Sequence, residues 1–228
     1  MALESSEFVP TEASANQLVR YLLDKGLGGV GPLSSAENLA QEYLIDQGYV
    51  DLDERVDSLI NWETAKNFTT GFLTGLGGVI TLPVAIPSAL GASWLIQARM
   101  VGAIARIYGH PLTSDRARTL VLLALAGDVA KDAMKDMGIK FGTKLTQRAI
   151  NQIPGRALVE INKRIGFRLL TKAGQTGVVN FSKIVPIVGG VVGGTFDVVV
   201  CRKVGRTAKQ LFRRSAGTVV EGDILGVD

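Results

Sequence analysis

Cysteine and histidine are almost missing from this chain. Its 228 residues contain one of each, Cys201 and His110, and aromatic residues make up 6%. A single cysteine excludes an intrachain disulfide framework and fits a reducing compartment. One cysteine and one histidine also exclude a zinc site built from those ligands, and no metal or cofactor is expected. The chain has no Walker A sequence and no G-x-S-x-G elbow. GLGGVG at 26–31 matches G-x-G-x-x-G in letters. A dinucleotide site needs that motif between a strand and a helix, whereas here it follows a helical pattern. The start, MALESSEFVPTEASANQ, lacks the basic and apolar blocks of a signal peptide. The expected location is cytoplasmic, including a peripheral position at the inner face of the membrane.

Acidic residues are scarce in one long stretch. Residues 140–214 hold fifteen Lys/Arg but only Glu160 and Asp197, whereas residues 1–139 hold ten Lys/Arg and sixteen Asp/Glu. The net charge of +4 hides this polarity. A basic half of this kind points to an anionic partner: lipid headgroups, nucleic acid, or the acidic half of the same chain.

What the chain has in quantity is apolar and small residues: 46% hydrophobic and 27 glycines. Helical spacing recurs. Leu18 and Leu22 mark a helix over 14–25, with Gly26 as its stop. Ser34 or Ser35 caps a second through Leu44. Asp51 or Asp53 opens a third, with Val56, Leu59, Ile60, Trp62 and Phe68 on its apolar face. Further helices are read from Ser88 to Tyr108, from Ser114, over 128–150, over 156–171 and over 187–216. The β-branched runs Val178–Val179 and Val198–Val200 are ambiguous, with helix or loop favoured. GLGGV occurs twice, at 26–30 and 75–79, which fits either a reused corner or chance. The expected fold is all-α: one compact multi-helix domain over 14–216 with a Gly/Ala-rich core. A mobile acidic N-terminus (1–13) and an acidic tail (217–228) flank it.

Residues 67–98 form 32 consecutive uncharged positions. Gly75, Gly77, Gly78, Pro83 and Pro87 interrupt them. The helical remainder from Ser88 to Ala98 covers about 17 Å at 1.5 Å per residue, against a hydrocarbon core of about 30 Å. A buried core helix is therefore favoured over a re-entrant segment or a span. Gly91 and Gly102 give it a small-residue face. Gly189, Gly190, Gly193 and Gly194 form adjacent i, i+4 stripes where another helix can approach closely. Asp197, one turn beyond, needs a partner in so apolar a setting, and Arg99 is the candidate.

The stretch GFLTGLGGVITLPVAIPSALGASWLIQARMV is followed by YGH, DRARTLVLLALAGD and NKRIGFRLLTKAGQTGVVNFSKIVPIVGGVVGGTFDVVVCRKVGRTAKQ. Taken together, these segments resemble the EcsC family over about residues 33–210. The resemblance implies a bacterial all-helical domain. The family takes its name from a protein encoded beside an ABC-transporter operon. It has no established reaction and supplies no catalytic motif.

Arg202, Arg206, Lys209 and Arg213 fall on one helical stripe, and Lys140, Lys144 and Arg148 on another. Basic amphipathic helices suit anionic membrane surfaces. The alternative is a solvated face. Base-stacking aromatics do not interleave with the cations, which argues against nucleic acid. His110 and Cys201 as a nucleophile–base pair, and Asp128, Asp132 and Asp136 as metal ligands, are weaker readings than a helix-end cap and a solvated face. The expected function is a non-enzymatic accessory protein docked on an anionic membrane surface or a membrane protein complex of ABC-transporter type. The alternatives are a helical domain enclosing an apolar ligand such as a lipid and, more remotely, an enzyme.

Overall fold

The computed structural model describes residues 11–68, 88–127, 154–180 and 189–216, with side chains described for 11–66, 91–127, 154–171 and 198–213. Among the described residues the chain forms helices and no strand. In chain order these are α1 (Glu12–Gly28), α2 (Ala36–Ile45), α3 (Leu52–Phe68), α4 (Ser88–Ile107), α5 (Asp115–Ala126), α6 (Gly155–Asn180) and α7 (Gly189–Ala216).

Local chemistry sets the helix starts. Thr11 and Ser14 form a reciprocal capping box at α1, which begins at Glu12 rather than at residue 14. Ser35 accepts from the Asn38 N–H and Ser114 from the Ala117 N–H, satisfying donors that α2 and α5 leave open. The valine runs at 178–179 and 198–200 lie within α6 and α7, so helix prevails over loop.

Helix α4 lies at the centre. It packs against α1, α2, α3, α5 and α7, while α6 lies against α1 and α5. Leu95, Ile96, Ala98, Met100, Val101, Ala103, Ile104 and Ala105 are all fully buried. Among the described residues no helix is long and apolar enough to cross a membrane. Within the expected core helix, residues 91–98 are buried apart from the half-buried Trp94. The rest of the uncharged stretch, 69–87, lies outside the described residues.

Small residues set the helix spacings, and two sequence expectations need correcting. Gly26 does not end α1. A Cβ placed there would lie 2.7 Å from the Ala98 Cβ, so this glycine sits where α1 crosses α4. The chain turns instead at Gly29, whose φ of +89° suits glycine and whose N–H closes on the Lys25 carbonyl. Trp62 is 61% exposed rather than on the apolar face. The positions that do face inward are Val56, Leu59, Ile60 and Glu63, a regular i, i+3, i+4, i+7 set.

Gly102 behaves as expected: a Cβ there would meet the Leu27 Cδ2 at 2.4 Å and the Ala36 Cβ at 2.9 Å. Gly91 is buried in the same helix. Gly205 of α7 approaches Ile60 of α3 in the same way, at 2.8 Å. Gly189, Gly190, Gly193 and Gly194 lie in α7, and their surroundings lie outside the described residues.

Between two helices the tightest backbone approach among the described glycines is at Gly166, where an added Cβ would stand 2.8 Å from the Ala15 carbonyl oxygen and 2.6 Å from the Val19 Cγ2. Alanine is a better helix former than glycine by about 1 kcal/mol, and overpacking costs about 1–3 kcal/mol. Gly166→Ala is therefore expected to lower the urea midpoint despite its gain in propensity. Gly28→Ala, which meets nothing within 4 Å, should leave the midpoint level or raise it. Equal behaviour of the two variants would remove Gly166 as a contact that fixes helix spacing.

Candidate functional site

The 3.6-residue repeat of α7 divides the helix into two faces. Cys201, Val204, Gly205, Ala208 and Phe212 are buried, while Val199, Arg202, Lys203 and Arg206 stand in solvent. Over residues 198–213 the helix carries five cations and no acid. The acids it meets come from α3, which runs antiparallel to it: Asp53 is level with Arg213, Asp57 with Lys209, and Ile60 with Gly205.

The expected basic stripe is therefore split. Lys209 reaches the Asp57 Oδ1 at 2.8 Å and the Asp53 carbonyl at 3.2 Å, with only 17% of its side chain exposed. Arg213 pairs with the Asp53 Oδ2 at 2.9 Å. These two cations tie α7 to α3. The alternative in which the stripe meets the acidic half of the chain holds for them. Arg202 and Arg206 remain on the exposed face. Lys140, Lys144 and Arg148 lie outside the described residues.

The other oxygen of Asp53 accepts from the Tyr108 hydroxyl at 2.6 Å. Burial first, and then this hydrogen bond and the Asp53 charge, push the Tyr108 phenol up, with Arg213 opposing them. His110 follows at the end of α4. Its Nε2 lies 3.1 Å from the Phe212 carbonyl, and its ring is 5.2 Å from the Phe212 ring. A carbonyl only accepts, so Nε2 carries the proton. His110 thus bonds a carbonyl near the end of α7 rather than one at the end of its own helix. Cys201 is buried about three turns, or roughly 16 Å, further back along α7, so the two residues are not brought together.

A second charged group lies in the core. Arg99 reaches the Glu63 Oε2 through Nη1 at 3.1 Å and the Ser34 Oγ through Nη2 at 2.9 Å. Lys66 meets the other Glu63 oxygen at 3.1 Å from a half-exposed position. Among the described residues the partner of Arg99 is therefore Glu63, and the side chain of Asp197 lies outside them. Glu63 was missed in the sequence, although its place in the Val56–Leu59–Ile60 repeat marks it as inward-facing. Nearby, burial and then the Glu63 charge raise the Tyr43 phenol to about 12.

A groove of about 630 Å³ runs along the outside of α6, lined by Glu12, Glu160, Lys163, Arg164, Phe167, Arg168 and Thr171. Five of its seven lining residues are charged, and Phe167 and Thr171 are the exceptions. No group of three or more metal-ligating side chains occurs among the described residues.

The family model described as the EcsC protein family matches residues 25–215. The chain belongs to the EcsC family. The match extends beyond the 33–210 span on which the resemblance was read and includes every described helix from the end of α1 onward. No curated protein and no solved structure matches the chain.

Two outcomes are expected for the charged groups. Tyr108 is held neutral in the fold, whereas in the unfolded chain a tyrosine ionises near pH 10.0. The stability tied to its neutral form is thus full below that pH and lost as pH rises above it. Tyr108→Phe should lose about 1 kcal/mol at neutral pH through the missing hydrogen bond, but its urea midpoint should fall less than that of the wild type as pH rises above about 10. Parallel curves would deny Tyr108 a part in alkaline sensitivity.

In the core, Glu63→Leu strands a buried guanidinium and should cost about 3–5 kcal/mol, while Glu63→Leu with Arg99→Met should recover much of that. Additive losses in this double-mutant cycle would mean that the two charges are not coupled.

Proposed function

We propose that this protein is an accessory component without a reaction of its own, which docks on an anionic membrane surface, or on a membrane complex bearing such a surface, through the outward face of α7. The observation that carries this reading is the division of cations on that helix. The α3 acids take Lys209 and Arg213, and Arg202 and Arg206 stay in solvent beside the exposed Val199. Guanidinium groups form forked hydrogen bonds with phosphate, and an apolar side chain about one turn before Arg202 suits the boundary between headgroups and acyl chains. The absence of a span-length apolar helix among the described residues is compatible with attachment from one side.

Each basic residue at an anionic membrane contributes about 1 kcal/mol, and at physiological salt its attraction is screened beyond about 8 Å. Arg202→Gln with Arg206→Gln should therefore weaken co-sedimentation with phosphatidylserine-containing vesicles by roughly 30-fold, with little change in melting temperature. Lys209→Gln should do the opposite, lowering the melting temperature because it unties α7 from α3. Binding to neutral vesicles should be weak, and binding to anionic ones should fall as salt rises. If the wild type does not bind anionic vesicles, or binds them independently of salt, membrane docking through α7 is ruled out.

A further inference from the structure

The corner between α2 and α3 is closely braced, yet it holds large apolar side chains in water. Arg55 of α3 donates through Nη1 to the carbonyls of Tyr43 and Asp46 at the end of α2. Its guanidinium carbon lies 5.6 Å from the Tyr49 ring centroid, and Tyr49 stacks on Tyr43 at 6.0 Å. The Tyr49 hydroxyl and the Ser58 Oγ are 2.8 Å apart. The Gly48 N–H donates to the Asp46 Oδ1 at 2.8 Å, the Val50 N–H to the Glu54 Oε2 at 2.7 Å, and the Glu54 N–H to the Asp51 Oδ1 at 2.8 Å.

On this fixed corner Val50 is 93% exposed, Ile45 67% and Leu52 41%. A single exposed apolar residue is ordinary, but three on one braced corner form a patch. Its rim is acidic. Glu42, Asp46, Asp51 and Glu54 are exposed, and Arg55, the one cation from 42 to 55, is committed to backbone carbonyls.

The outer face of α6 has the complementary character. Val159 and Phe167 are 61% and 40% exposed, and Arg156, Lys163, Arg164 and Arg168 surround them. Among the described residues this face carries those four cations against two acids, Glu12 and Glu160, which pair with Lys163 and Arg164. One patch is apolar with an acidic rim and the other apolar with a basic rim, and they lie on different elements of the same chain. We infer that copies of this protein associate head to tail, with the α2–α3 corner of one seated on the α6 face of the next. The contact joins unlike patches, so it is heterologous and leaves one of each unoccupied in a pair. It does not use α7, so it stands or falls separately from membrane docking.

Sedimentation of the full chain at low salt should give a mass that rises with concentration above the 24.2 kDa monomer and falls back as salt screens the rims. Val50→Asp and Phe167→Glu should each weaken self-association by at least about tenfold. Mixed together, the two variants should form a complex of two chains and nothing larger, because each supplies the patch that the other lacks. Phe167 is partly buried, so Arg164→Glu takes its place if melting shows that Phe167→Glu does not fold. A wild type that stays monomeric at every concentration overturns the inference. So does a mixture of folded variants that stays monomeric. Loss of association in Val50→Asp but not in the α6 variants overturns it too, because that pattern belongs to a corner-on-corner pair.

Discussion

Helix α4 is approached by five others, and the rest of the fold depends on how closely they can come. A helix buried on all sides has no solvated face on which to carry long side chains, so its outline has to be small where neighbours cross. Gly102 lets Leu27 and Ala36 in, Ala98 fits against Gly26, and fully buried aliphatic residues fill the remaining directions. The same device recurs away from the centre, at Gly166 between α1 and α6 and at Gly205 between α3 and α7. Each of these glycines weakens its own helix and lets a neighbouring helix come close. The helices are thus held by dispersion across short distances rather than by intrinsic propensity.

Polar groups inside such a core must be satisfied there. Arg99 lies on the most buried helix, and Glu63 and Ser34 accept two of its donors. A charge pair at this depth specifies as much as it stabilises. The guanidinium joins α4 to α3 and to the residue just before the α2 cap, so a slipped register would leave a buried ion unpaired. Asp53 has a similar place at the edge of the domain, where one carboxylate receives Tyr108 from the end of α4 and Arg213 from α7. His110 adds a hydrogen bond to the last turns of α7 from the same side. The end of α4, the start of α3 and the end of α7 are therefore joined by polar contacts at one end of the bundle.

Because α7 is attached in this way, its remaining cations are held in place rather than left on a loose helix. Their spacing is set by the helix and their direction by the burial of Cys201, Val204, Ala208 and Phe212 on the opposite face. Under the proposed docking, a surface pre-arranged in this way would lose little conformational freedom on meeting an anionic layer, apart from that of the arginine side chains themselves. The α2–α3 corner follows the same logic with the opposite charge. Arg55 is turned inward onto backbone carbonyls, and the acids and apolar groups are left outside.

Periodicity and capping chemistry by themselves pointed to the described helices, a start at Ser114, another at Ser34 or Ser35, the burial of α4 and the all-α class, because these depend on neighbours within a few residues. The family, too, was legible in the run of small and apolar residues. The amphipathic division of α7 could be read from its repeat, but the division of labour among its cations could not. That Lys209 and Arg213 meet Asp57 and Asp53 depends on α3 running antiparallel beside α7, some 150 residues away in the chain. Gly26 looked like a stop because glycine ends helices locally, and only the crossing with Ala98 shows why the helix continues through it. Glu63 could have been placed inward by its repeat, but its partner could not be named, since a buried charge is satisfied by whichever donor the packing brings within reach. Local sequence decides which segments are helical, and the tertiary structure decides which charges are spent holding them together and which are left facing outward.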